Sequence, residues 1–118
     1  MRRHPFKKKI EDIPTEQAHA GSGSRKLIVS NQDDISSNIE AVTKGYLEPG
    51  GFFHWHQHVG IDEFWIVIKG SGFIEYKNSD RFEYKAGDFI YTPANLEHRI
   101  EASGETQSEF YFVRVRSV

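Results

Sequence analysis

Hydrophobic and polar residues alternate along this chain with the two-residue period of β-strands, in short runs separated by turn-forming residues. Lys26–Ser30 is the first such run, and the polar loop Asn31–Ser37 follows it. Ile39–Leu47 and Phe52–His58 flank the turn Glu48-Pro49-Gly50-Gly51. Glu63–Lys69 leads into Gly70-Ser71-Gly72. Phe73–Lys77 and Arg81–Lys85 bracket Asn78-Ser79-Asp80 as a hairpin, and Phe89–Thr92 must stop at Pro93. Glu97–Glu101 and Phe110–Val115 complete the set. Roughly nine short strands at this spacing, with no helical period, predict an all-β sandwich or barrel of jelly-roll type.

One strand departs from the half-buried pattern. In Glu63–Lys69, Glu63, Trp65 and Val67 share one face while Phe64, Ile66 and Ile68 share the other. Both faces are apolar, so both need cover. A single barrel has one interior, and the outer face is expected to meet a second subunit, giving a homodimer.

Composition narrows the classes. The 118 residues are one domain's worth of chain, and aromatics at 14% favour strands. A formal net charge of −2 gives no basic field for nucleic acid, and no apolar run reaches the ~18 residues of a membrane span. The absence of cysteine excludes thiolate metal sites, disulfides and cysteine catalysis. Residues 1–25 are expected as an N-terminal arm and 26–118 as the barrel. The arm carries the basic cluster Arg2, Arg3, Lys7, Lys8 and Lys9, and a Gly-Ser stretch in which His19 reads as an exposed loop residue. No apolar segment follows the basic start, so it does not read as a secretory leader, and a cytoplasmic location is expected.

Candidate chemistry is concentrated between His54 and Gly70. His54, His56 and His58 stand at alternate positions, which on a regular strand places them on one face. Glu63 on the next strand can face them. His98 shares a face with Ile100, whose apolar character predicts that this face points inward. Imidazoles with a carboxylate suit one divalent first-row metal, such as Fe, Mn, Co, Ni or Zn.

These residues resemble the cupin family. Its first motif, G-x5-H-x-H-x3–4-E-x6-G, is matched in full by Gly50, His56, His58, Glu63 and Gly70. Its second, G-x5-P-x-G-x2-H-x3-N, is matched at Gly87, Pro93 and His98, with Asn95 in place of the third glycine and Ala102 in place of the final asparagine. Asparagine tolerates left-handed backbone, so the turn is expected to survive. The resemblance implies a cupin jelly-roll barrel over residues 26–118, with His56, His58, Glu63 and His98 holding one metal and leaving positions open for water, substrate or O₂. It implies a metal-dependent enzyme of dioxygenase, isomerase, decarboxylase or lyase type acting on a small molecule. The alternative is a non-catalytic binding or sensing module. A metal-free, epimerase-like site is disfavoured by the complete ligand set. His54 lies outside the minimal motif and is the candidate general base. Trp65 and Tyr91 are candidates for the substrate pocket, with Tyr46, Tyr76 and Arg99 as further, unranked residues.

Overall fold

The computed structural model describes residues 3–18 and 21–117; Arg2 and His19 lie outside the described residues. Ten strands follow a 3-10 turn at Ile10–Asp12: β1 (Glu16–Gln17), β2 (Ser24–Ser30), β3 (Ile39–Leu47), β4 (Phe52–His56), β5 (Ile61–Lys69), β6 (Ser71–Tyr76), β7 (Arg81–Lys85), β8 (Phe89–Thr92), β9 (His98–Ala102) and β10 (Ser108–Arg116). They form a six-stranded sheet in the order β1-β2-β3-β10-β5-β8 and a four-stranded sheet in the order β4-β9-β6-β7. Every pairing is antiparallel. The non-consecutive neighbours, such as β10 between β3 and β5, are those of a jelly roll.

The inner faces of the two sheets bury Leu47, Phe53, Trp65, Val67, Ile74, Ile100, Phe110 and Phe112 as one core. The predicted alternation holds in β5, where Glu63, Trp65 and Val67 are buried and Ile66 and Ile68 are exposed. Two tyrosines enter the core with their hydroxyls satisfied: Tyr76 with Thr92 at 2.7 Å and Tyr84 with Ser108 at 2.8 Å. Tyr76 therefore belongs to the core beside His98 rather than to an open pocket. Gly70 marks a backbone crossing. Its φ is +89°, and a Cβ there would stand 2.6 Å from the Cα of Ser108.

Part of the segment expected as an N-terminal arm pairs with the barrel. Glu16 and Gln17 pair with Arg25 and Ser24, and the Arg25 guanidinium donates to Glu16 at 2.9 Å. Ala18 packs on the core. A two-residue strand lies below what hydrophobic alternation can register, so the sequence pattern did not reveal it.

Candidate metal centre

The site is built where β4 and β9 meet the end of the barrel. In their register Phe53 faces Ile100 and His56 faces His98, so two β4 residues, His54 and Trp55, stand opposite Arg99 alone. This is a β-bulge, and it shifts the parity of the strand. Phe53 and His56, three residues apart, both turn inward. His54 does not share the face of His56, contrary to the strict alternation expected from the sequence. It is exposed, its ring packed edge-on against Phe52 at 4.6 Å.

His58 lies in the loop beyond β4. Its carbonyl accepts from the backbone N–H of Ile61 at 3.3 Å and of Asn95 at 3.2 Å. Asn95 has the left-handed φ of 68° expected of it, and its side chain accepts from Gly60 N–H at 2.9 Å. The second-motif turn thus fastens the loop that carries His58. His98, on β9, is buried with Ile100 as predicted.

The donor atoms of His56, His58 and His98 all lie within 4.8 Å of one another. His56 Nδ1 bonds the carbonyl of His54, and His98 Nδ1 bonds that of Leu96 at 2.9 Å. A carbonyl only accepts, so each Nδ1 carries the proton and each Nε2 presents a lone pair. The Nε2 atoms of His58 and His98 are buried and have no hydrogen-bond partner. Buried polar atoms are normally satisfied. Two unpartnered buried imidazole nitrogens in one cluster fit a divalent ion, and the three histidines could hold one.

Glu63 sits against this cluster. Its Oε1 accepts from Trp65 Nε1 at 2.6 Å and its Oε2 from Arg114 Nε at 2.7 Å. The Oε2 is 3.5 Å from His58 Nε2, and the Oε1 is 3.9 Å from His98 Nε2. The two contacts use different oxygens, and Glu63 stands beside the three-histidine cluster rather than within it. Burial works to raise the Glu63 carboxyl, but Arg114, His58 and His98 together outweigh it and hold the group below its ordinary value. Burial pushes His58 down to about 4, helped by Arg114 and the other two imidazoles against the pull of Glu63. Burial lowers His98 as well. Neutral imidazoles beside an ionised carboxylate are the protonation states that metal ligation requires. For the same reason the short His58–Glu63 contact is not an ion pair.

A cavity of about 250 Å³ opens beside the cluster, lined by His56, His58, Glu63 and Trp65 and walled by Phe53, Ile100, Phe112, Thr43, Arg25 and Arg114. Trp65 is therefore where the sequence placed it. Tyr91 is not. It lies on the outer face of β8, exposed, with its hydroxyl donating to Asp62 at 3.0 Å and its ring 5.4 Å from Phe64. In β8, Ile90 and Thr92 take the inward positions, and parity puts Tyr91 outside. Arg99 also faces outward, bonded to Glu75 at 2.9 Å, and Tyr46 stacks under Lys44.

The sequence reading missed Arg114 and Arg25. A signal for Arg114 was present: it shares parity with Phe110 and Phe112 in the closing strand, so it is a charge on an otherwise buried face. Arg25 fell in the segment assigned to the arm.

The Cupin domain family model matches residues 45–114. The oxalate-binding protein of Thermotoga maritima is 34% identical over 67 residues, 57% of this chain and 54% of that protein. The chain spans about half the length, or less, of the curated relatives it matches. Among solved structures, a predicted oxalate decarboxylase from Thermotoga maritima superposes with a TM-score of 0.82 at 23% identity, covering 92% of this chain and 96% of that one. The polyketide cyclase RemF from Streptomyces resistomycificus gives 0.77 at 18% identity, with 98% and 86% covered. At these identities the superpositions speak to the fold.

Proposed function

The chain belongs to the cupin family, and from that premise we propose that it is a metal-dependent enzyme acting on a small polar molecule, with His56, His58, His98 and Glu63 as the ligand set. The observation that carries this reading is the pair of buried, unpartnered Nε2 atoms on His58 and His98 beside an ionised carboxylate. A divalent ion held there would supply a Lewis acid with coordination positions open to an oxygen of the substrate. The protein's own part is to keep His58 and His98 neutral by burial, to hold the rings of His56 and His98 through backbone carbonyls, and to fix the Glu63 carboxylate between Trp65 and Arg114. The walls of Phe53, Ile100 and Phe112 limit water beside the cluster. Dioxygenation, isomerisation, decarboxylation and lyase chemistry all suit such a centre.

A non-catalytic binding module is the second reading, and one observation favours it. His54, the expected general base, lies outside the cavity, and both oxygens of Glu63 already accept hydrogen bonds. The similarity to a protein named for oxalate binding agrees with a small ligand in either case. Metal analysis of the purified protein, followed by a turnover screen of the loaded form, separates the readings. Stoichiometric metal with turnover supports the enzyme, and metal with ligand binding but no turnover supports the module. Absence of metal after loading with Fe, Mn, Ni or Zn overturns the enzyme and leaves only a metal-free binding module.

We also infer a homodimer. Ile66, Ile68, Phe89 and Tyr91 are exposed together on the outer faces of β5 and β8, with Phe64 between them. A contiguous apolar face of this kind is what a second subunit covers.

A further inference from the structure

The cavity beside the histidine cluster has two dissimilar kinds of lining, guanidinium groups and apolar side chains. We infer that its ligand is a small organic monocarboxylate with an apolar body, whose carboxylate is held by Arg25 and Arg114. This deepens the proposed function and rests on it for the adjoining metal.

Both arginines line the cavity, and both are only about one-fifth exposed. They come from different strands and are braced in the same way. Arg25 uses its Nε on Glu16 at 2.9 Å, and Arg114 uses its Nε on Glu63 at 2.7 Å. Among the described residues neither makes a protein hydrogen bond through its terminal nitrogens. Each guanidinium is thus oriented by one edge with its remaining donors unspent, which is the arrangement that receives a carboxylate.

The charge of the cavity points the same way. Glu63 is the one carboxylate among the residues that line the cavity, and Glu16, which braces Arg25, is half exposed to solvent. Two guanidinium groups therefore face a single buried carboxylate, Glu63, before any metal adds its own charge. Such a cavity draws an anion and rejects a cation.

The remaining wall sets the other half of the ligand. Phe53, Trp65, Ile100 and Phe112 are apolar and buried. Phe112 reaches its position because Gly45 has no side chain: a Cβ there would stand 2.4 Å from the Phe112 ring. A bare dianion such as oxalate would leave this wall without a partner. At about 250 Å³ the space lies just under the ~300–1,000 Å³ of pockets for drug-sized ligands, so the acid is small.

The test uses metal-loaded full-length protein and calorimetric titration with benzoate and hexanoate. Benzamide and 1-hexanol serve as neutral counterparts, and oxalate as the bare dianion. Each acid should bind at least tenfold tighter than its neutral counterpart and tighter than oxalate. Arg25→Gln should weaken acid binding about tenfold with metal content unchanged, and Arg25→Lys should restore part of it. Equal affinity for acid and neutral probe, tighter binding of oxalate, an unaffected Arg25→Gln, or no saturable acid binding in the millimolar range would each overturn the inference. The arginines belong to the chain and not to the metal, so the acid preference is also read on metal-free protein. A preparation that takes up no metal but keeps that preference defeats the proposed function and leaves this inference standing.

Discussion

Arg114 and Glu63 stand directly opposite each other on β10 and β5, and their side chains meet at 2.7 Å between Nε and Oε2. The arginine holds the buried carboxylate ionised next to two imidazoles that would otherwise have no anion in reach. Arg114→Met removes that support and leaves Glu63 buried without a cation. A fully buried pair broken in this way costs about 3–5 kcal/mol; Arg114 is partly solvated, so about 2–3 kcal/mol is expected from denaturant unfolding. Metal affinity should fall by roughly 10–100-fold, the usual effect of removing a group that orients a ligand. An unchanged midpoint together with unchanged metal affinity would contradict this role.

With the Nε2 atoms of His58 and His98 unpartnered, stability is expected to rise when metal is added. Ligand that binds only the folded chain stabilises by mass action, about 2.7 kcal/mol at a concentration 100 times Kd. For a domain of this size that corresponds to roughly 10 °C in Tm. Calorimetry with and without added Zn or Mn should show the rise, and a chelator should reverse it. His98→Ala should remove the response altogether, and a metal-dependent Tm that survives the substitution would place the ion elsewhere.

Acid should destabilise the metal-free protein in a defined window. The imidazole of His58 has its ordinary value of 6.5 in the unfolded chain and about 4 in the fold. Below 6.5 the unfolded chain takes up a proton that the folded one refuses. Stability from this group is therefore complete above 6.5 and is lost as pH falls towards 4, by roughly 3 kcal/mol. The depressed Glu63 carboxyl adds in the same direction at still lower pH, because the unfolded chain is protonated first. Urea midpoints measured between pH 7.5 and 4 check this; a flat profile would mean that His58 is not buried as described.

His54→Ala should leave metal content and ligand binding unchanged, and stability within about 0.5 kcal/mol. The interaction that residue 54 makes with the centre runs through its backbone carbonyl to His56 Nδ1, which alanine retains. Loss of metal in this variant would show that the side chain takes part.

The outer face of β5 and β8 is testable without reference to chemistry. Ile66→Lys with Phe89→Glu places two charges in the exposed apolar patch, on the face opposite the inward-pointing residues of the same strands. Light scattering should report a dimer for the parent chain and a monomer for the variant, both binding metal alike. A monomeric parent would remove the homodimer.

Local pattern in the sequence determined a great deal here. Period-two alternation placed nearly all of the strands, because one face of each must be buried and the side-chain period is fixed by backbone geometry. The same parity put Glu63 and Trp65 inside and Phe64, Ile66 and Ile68 outside. The resemblance to the cupin motifs implied one site for His56, His58 and His98, and the structure brings these three together. Parity failed at His54 because a bulge inserts a residue, and a bulge depends on what the neighbouring strand can pair with. It was insufficient at Tyr91, whose strand is only four residues long. Arg25 and Arg114 lie 89 positions apart and meet the cavity from β2 and β10. Strand order alone gathers them there, so only the tertiary structure could decide the charge that faces a ligand.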